Sequence, residues 1–231
     1  MGQKSQNFLL IEHGGSRKQF TLKTLEEKGL TVYLACTSMP EWLMEHIPLE
    51  RIIVTDTYNS VKLIADVVCF FESNGINIHG VGTFYEHVVC QAADLASALK
   101  LTGLNPGAAR RSSSNKLLTR MNCRDAGIPT PKFKVVNGLN YQKLSLAVED
   151  IGRPCVVKPI FGAESYGTMK IENRTSLKKV IEEIKLNTTP EKKETYKNFT
   201  GWYLVEEYLS GLVVSVDGLV QNKKNNDYWN G

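Results

Sequence analysis

Between residues 8 and 101, short apolar runs alternate with stretches of helical periodicity, and few folds accept that pattern. The runs FLLIEH (8–13), LTVYLAC (30–36), RIIVTD (51–56) and INIHGVG (76–82) are short and nearly continuously apolar, the mark of strands buried on both faces. A first helix is predicted after Ser16, which offers a cap, and continues through Phe20, Lys23, Thr24 and Glu27 to Gly29, a residue suited to the position past a helix end. A second is predicted between Asn59 and Asn74, with Val61, Ile64, Ala65, Val68 and Phe71 on its buried face. A third runs from about Tyr85 to Leu101 and presents Val88, Val89, Ala92, Leu95, Ala96 and Leu99. Strands alternating with helices of this length specify a parallel sheet covered on both faces.

Sheets of that kind bind ligands beyond the carboxyl ends of their strands. HGGS (13–16) and GVGTFYEH (80–87) fall at two such ends, which makes His13 and Glu86 candidate substrate-facing groups. Their glycines have a simpler reading as turn formers. No G-x-G-x-x-G follows the first strand, and the GKS/GKT phosphate loop is missing.

The second half of the chain carries a different pattern. In GRPCVVKPIFGAESYGTMKI (152–171), strand alternation puts Cys155 and Val157 on one face and Val156 and Lys158 on the other. Pro159 ends regular pairing because it lacks an N–H, and a loop with Gly162, Ser165 and Gly167 leads back into an extended run, Thr168 to Ile171. By itself this is a hairpin with a solvated lysine on its edge. In LNPGAARRSSSNKLLTRMNCRDAGIPTPKF (104–133), Pro106-Gly107 reads as a break and Ser112 to Ser114 as caps. A helix then runs through Leu117, Leu118, Met121 and Asn122 to Ala126-Gly127, and GIPTPKFKVV opens a strand. Lys116 falls in the first turn of that helix, where a positive charge opposes the helix dipole. Further on, a helix from about Ser176 to Leu186 buries Leu177, Val180, Ile181 and Ile184, and NTTPEKKETYKNFTG (187–201) reads as an exposed loop.

Composition narrows the partners. The net charge of +4 comes from Lys and Arg interspersed with Glu rather than from a basic stripe, so no nucleic-acid partner is expected. No run approaches the length of a membrane span, and the apolar run near the N-terminus is too short for a signal peptide. The five cysteines are isolated, with no C-x-x-C pair, which points to reduced thiols and a cytoplasmic location rather than to a disulfide framework or zinc site.

Taken together in order, TFYEHVVCQAADLASALKLTGLNPGAARRSSSNKLLTRMNCRDAGIPTPKF, IGRPCVVKPIFGAESYGTMKI and WYLVEEYLSGLVVSVDGLV (202–220) resemble the ATP-grasp superfamily, most closely its carboxylate–amine ligase branch, which includes dipeptide ligases. The resemblance implies an α/β fold. A Rossmann-like parallel sheet, the pre-ATP-grasp domain (1–108), would precede an α+β ATP-grasp subdomain with its linker helix (109–204) and the start of a second, truncated one (205–231). It also implies ATP between the subdomains, with Lys116 and Lys158 on the phosphates. Gly162, Ser165, Tyr166 and Gly167 would belong to a loop closing over those phosphates, where glycine lets backbone N–H groups approach closely. Glu206 would accept from the adenine amine, and the backbone of Glu207 and Leu209 would complete the pairing.

Two departures from the pattern stand out. Val213 occupies a place where the family commonly has a ribose-binding glutamate; a charged hydrogen bond of that kind is worth roughly 1.5–3 kcal/mol, or about ten- to a hundredfold in affinity. Asn115 stands where an aspartate often precedes the first lysine. Magnesium would need a carboxylate cluster, and residues 211–231 offer only Asp217 and Asp227, neither of which is assigned, so no metal ligand is named. The expectation is therefore the ATP-binding portion of a longer ligase that couples a small carboxylate to an amine through an acyl phosphate, inactive alone. The alternative is a non-catalytic nucleotide-binding or interaction module. The oligomeric state is left open, with a homodimer among the options.

Overall fold

The computed structural model describes residues 6–113, 115–162, 165–192, 196, 200–214, 219–221 and 224–226. In its first half, β1 (Gln6–Ile11), β2 (Leu30–Cys36), β3 (Ile52–Val54) and β4 (Gly80–Gly82) form a parallel sheet in the order β3-β2-β1-β4. The helices are α1 (Phe20–Glu27), α2 (Ser60–Ser73) and α3 (Val89–Ala98). Successive residues of β1 enter opposite cores, as the apolar runs demanded. Leu9 and Ile11 pack with Leu63, Val67, Val88 and Leu95, and Leu10 packs with Leu22, Leu43 and Ile47.

Three local expectations are corrected here. Helix α2 turns Leu63, Val67 and Phe71 inward and leaves Val61 79% exposed, a rotation away from the predicted face. Ser16 gives no side-chain cap; it begins a 3-10 turn (Ser16–Lys18) that precedes α1. Pro106-Gly107 does not break the chain but starts a helix, α4 (Pro106–Ser112), whose N-cap Asn105 accepts from the Ala108 amide at 3.0 Å. Proline suits a first helical turn because the N–H it lacks has no partner there.

Next come α5 (Lys116–Asp125), β5 (Phe133–Asn137), α6 (Tyr141–Ile151), β6 (Cys155–Pro159), β7 (Met169–Ile171), α7 (Leu177–Asn187) and β8 (Trp202–Glu207). The cap of α5 is Asn115, whose side chain accepts from the Leu118 amide at 3.2 Å, rather than the serines before it. The four strands make an antiparallel sheet in the order β5-β8-β6-β7. β8 lies between β5 and β6 and crosses residues 204 and 205 without interruption. One face of the sheet is covered by α6 and α7, with Val157, Cys155, Tyr203 and Val205 meeting Leu144, Val148, Val180 and Ile184. The other face presents Val156, Lys158 and Glu206 toward the side on which α5 lies, since Glu206 meets both Lys158 and Arg120 of α5. A short hairpin, β9 (Leu219–Gln221) with β10 (Lys224–Asn226), follows. Val213 and Val214 precede it without regular structure.

Candidate functional site

Strand alternation brings the site together. On β6, Cys155 and Val157 go to the core, so Lys158 emerges on the opposite face. β8 pairs with β6 so that Val156 faces Glu206 and Lys158 faces Leu204, which puts Lys158 and Glu206 diagonally across the ladder on one face. The Lys158 ammonium lies 2.5 Å from Glu206 Oε2. The other carboxylate oxygen, Oε1, accepts from Arg120 Nε at 2.8 Å, and Arg120 Nη2 reaches Oε2 at 3.4 Å. Glu206 is buried at 4% exposure, so this acid is held by two cations from two different elements.

Lys116 enters from the first turn of α5. Its backbone N–H donates to the Ile160 carbonyl at 2.9 Å and its ammonium to the Gly162 carbonyl at 2.5 Å, stitching the helix start to the loop that leaves β6. Burial, and then the neighbouring Lys158 charge, hold the Lys116 pKa below the ordinary lysine range, while Glu86 and Glu206 pull it back. The two ammonium groups therefore feel each other, and the shared field extends to Glu86 at the carboxyl end of the parallel sheet.

The loop from 160 to 168 is shaped by its glycines. Gly162 has φ +101, and a Cβ there would stand 2.8 Å from the hydroxyl of Tyr196. Gly167, at φ +68, packs so closely on Thr188 and Pro159 that a Cβ would meet Thr188 Cγ2 at 2.5 Å. Ser165 is left-handed too, at φ 60, and its carbonyl accepts from the Thr168 amide. Tyr196 donates to the carbonyl of Tyr166 at 2.9 Å and is itself buried, its hydroxyl pushed up to about 12 by burial. That corrects the reading of 187–201 as simply exposed: one of its aromatic residues is packed against the glycine loop. Residues 163 and 164 of that loop, most of 193–199, and Asp217 and Asp227 lie outside the described residues.

The predicted residues thus fall into three groups. Lys116, Lys158, Gly162 and Glu206 converge, with Glu86 in electrostatic reach. Glu207 ends β8 and Leu209 lies two residues past it; the Glu207 N–H donates to the Lys132 carbonyl at 2.9 Å. His13 is turned to Trp42 in an edge contact of 5.3 Å, and its Nδ1 accepts from the Gly15 amide. Val213 is 98% exposed.

Two residues were missed. Arg120 lies one helical turn from Lys116 on α5, and that i, i+4 spacing was the available signal. Glu12 has φ 60 and is buried, accepting from the Thr37 amide at 2.8 Å and the Thr57 hydroxyl at 2.6 Å, so it ties together the carboxyl ends of β1, β2 and β3.

The architecture is a parallel α/β unit followed by an antiparallel sheet, with Lys158 of β6, Lys116 of α5 and a glycine loop gathered on the face opposite α6 and α7. Comparison with known proteins agrees and is more specific. The family model of the ATP-grasp domain matches residues 151–226. A D-alanine–D-alanine ligase from Thermoanaerobacter sp. (strain X514) is 36% identical over 66 residues, 27% of this chain and 18% of that protein. The L-amino acid ligase of Bacillus licheniformis superposes with a TM-score of 0.63 at 21% identity, over 91% of this chain and 46% of its own. N5-carboxyaminoimidazole synthetase from Staphylococcus aureus, solved with ADP, superposes at 0.64 with 15% identity, over 92% of this chain and 48% of its own. The ATP-grasp match thus covers residues 151–226, the solved structures share the fold, and the chain spans about half the length of those structures and 18% of the D-alanine–D-alanine ligase.

Proposed function

We propose that this chain supplies the nucleotide cleft of an ATP-dependent ligase that joins a small carboxylate to an amine. The observation that carries the reading is the pair Lys116 and Lys158, held close enough on one half-buried face for Lys158 to depress the Lys116 pKa. Glu206 is shared by Lys158 and Arg120, and among the described residues Lys116 makes no ion pair within 4 Å, so the three cations retain a positive field that an anion would relieve. A polyphosphate fits that demand, because lysine ammonium groups act as point charges and need no fixed orientation.

ATP would transfer its γ-phosphoryl group to the carboxylate oxygen, giving ADP and an acyl phosphate, and an amine would then attack the acyl carbon and displace inorganic phosphate. The chain's own part is positioning and charge neutralisation. Lys116 and Lys158 would hold phosphate oxygens, and the loop at Gly162, Ser165, Tyr166 and Gly167 would close over them, its glycines leaving backbone N–H groups accessible. The end of β8 would receive the base: Glu206 as acceptor for the amine, Glu207 and Leu209 through their backbones. Glu86 and His13 would face the other substrate from the parallel sheet. Among the described residues no group of three or more His, Cys, Asp or Glu is arranged to hold a metal ion. No helix among the described residues is long and apolar enough to cross a membrane.

Thermal unfolding with and without Mg-ATP, in wild type and in Lys158→Ala, tests this. At a hundredfold excess over Kd a ligand adds about 2.7 kcal/mol, which at about 2–4 °C per kcal/mol for a chain of this size is a rise of roughly 5–11 °C in Tm. The rise should vanish in Lys158→Ala. No rise in wild type at millimolar ATP would refute the cleft. Binding without ligation by the complete protein would favour a nucleotide-binding module, a reading that fits the exposed Val213.

A further inference from the structure

We propose that Arg120 is a positioning residue of the nucleotide cleft: by holding Glu206, it frees Lys158 to turn its charge to a phosphate. The inference rests on the nucleotide reading above and adds to it a residue that neither the sequence motifs nor the comparisons single out.

The geometry poses a problem that Arg120 solves. Lys158 is paired with Glu206 at 2.5 Å, and both side chains are largely shielded, at 16% and 5% exposure. A lysine in such a pair is not free to serve an incoming anion. Drawing its charge away leaves a buried carboxylate uncompensated, and breaking a buried pair from one side is strongly unfavourable. Arg120 removes that obstacle because it already sits on the same acid, Nε to Oε1 at 2.8 Å and Nη2 to Oε2 at 3.4 Å. A guanidinium group suits this position, since its fork matches a carboxylate and it stays charged at any working pH.

The order of the charges supports the assignment. Lys158 comes from β6 and Arg120 from α5, on different sides of Glu206, so one can leave while the other stays. Lys116, also from α5, and Glu86 bear on the same cluster through their charges. Lys116 donates to the Gly162 carbonyl rather than pairing with Glu206. Arg120 is thus the side chain placed to inherit the carboxylate.

The test is calorimetric titration of Mg-ATP into wild type, Arg120→Met, Arg120→Lys, Glu206→Gln and the double variant Arg120→Met/Glu206→Gln. Arg120→Met should raise Kd about tenfold or more, the scale set by stranding a buried charge. Arg120→Lys, which keeps the positive charge, should restore most of the affinity. Glu206→Gln removes the charge that Arg120 would compensate and also weakens the acceptor for the base, so its own Kd serves as the reference for the double variant. In that background Arg120→Met should have no further effect, because no carboxylate is left to strand. A purely structural role for Arg120 would not be suppressed in this way.

If wild type fails to bind Mg-ATP, the nucleotide reading falls and this inference with it. If wild type binds and Arg120→Met binds equally well, the inference alone is overturned. Equal losses in both backgrounds also overturn it. Should Arg120→Met not fold, Arg120→Gln takes its place in both backgrounds, and binding equal to the matching background, or equal losses in the two, overturns the inference.

Discussion

Gly162 offers a sharp test of the glycine loop, because two independent effects meet at one atom. Its backbone has φ +101, which L side chains rarely adopt, and a Cβ would fall 2.8 Å from the Tyr196 hydroxyl, 3.2 Å from Cζ and 3.3 Å from Cε1. The backbone part of Gly162→Ala is about 1–3 kcal/mol for a residue forced into a sparsely populated region. The contact part adds roughly 1 kcal/mol or more, because Tyr196 is 3% exposed and its hydroxyl is committed to the Tyr166 carbonyl at 2.9 Å. A total loss of roughly 2–4 kcal/mol follows, or about 4–16 °C in Tm at this chain length. Urea unfolding of wild type, Gly162→Ala, Tyr196→Phe and the double variant separates the two parts. Tyr196→Phe deletes the nearest atom, so Gly162→Ala should be milder in that background by the contact part and keep the backbone part. If Gly162→Ala lies within about 0.5 kcal/mol of wild type, the range of an ordinary surface substitution, the account of this loop is wrong. If the loss is the same in both backgrounds, Tyr196 does not press on the loop.

Two further outcomes follow from the same structure. The Lys116 pKa is lowered chiefly by burial and then by Lys158, whereas a bound phosphate would raise it; affinity for Mg-ATP should therefore weaken as pH rises through that lowered pKa, earlier than for an ordinary lysine, and Lys116→Arg should flatten the alkaline limb in a titration of Kd against pH. On α2, Leu63→Ala should destabilise by about 2–5 kcal/mol and Val61→Ser by less than about 0.5 kcal/mol, measured by chemical denaturation; the reverse order would restore the face predicted from the sequence.

Much of the fold was legible because it depends on local patterns. The strands of the parallel sheet are short and apolar, and each was found within a few residues of its observed bounds, although β4 shrank to Gly80–Gly82. On α7 the four residues expected inside, Leu177, Val180, Ile181 and Ile184, are the buried ones, because a polar opposite face leaves only one way to pack. Helix α2 lacks that contrast. Val61, Leu63, Ile64, Val67, Val68, Phe70 and Phe71 surround it, and the direction of the sheet, not its own period, chose Leu63, Val67 and Phe71. Proline at 106 was misread because its meaning depends on whether an N-cap precedes it, and Asn105 does.

The candidate site divides along the same line. By itself the sequence determined the alternation that turns Lys158 away from the core, the helix start that carries Lys116, and the glycines that let the loop at 162 and 167 turn; each is a property of neighbouring residues. Only the tertiary structure decided that Glu206 is shared by Lys158 and Arg120, that Glu12 ties three strand ends, and that Tyr196 packs on Gly162. Those partners are 48, 86, 45 and 34 residues apart along the chain at the Lys158–Glu206, Arg120–Glu206, Glu12–Thr57 and Gly162–Tyr196 pairs. Strand register and helix docking set such distances, and these ion pairs and hydrogen bonds, which need their partners within about 3 Å, exist only once those elements have met.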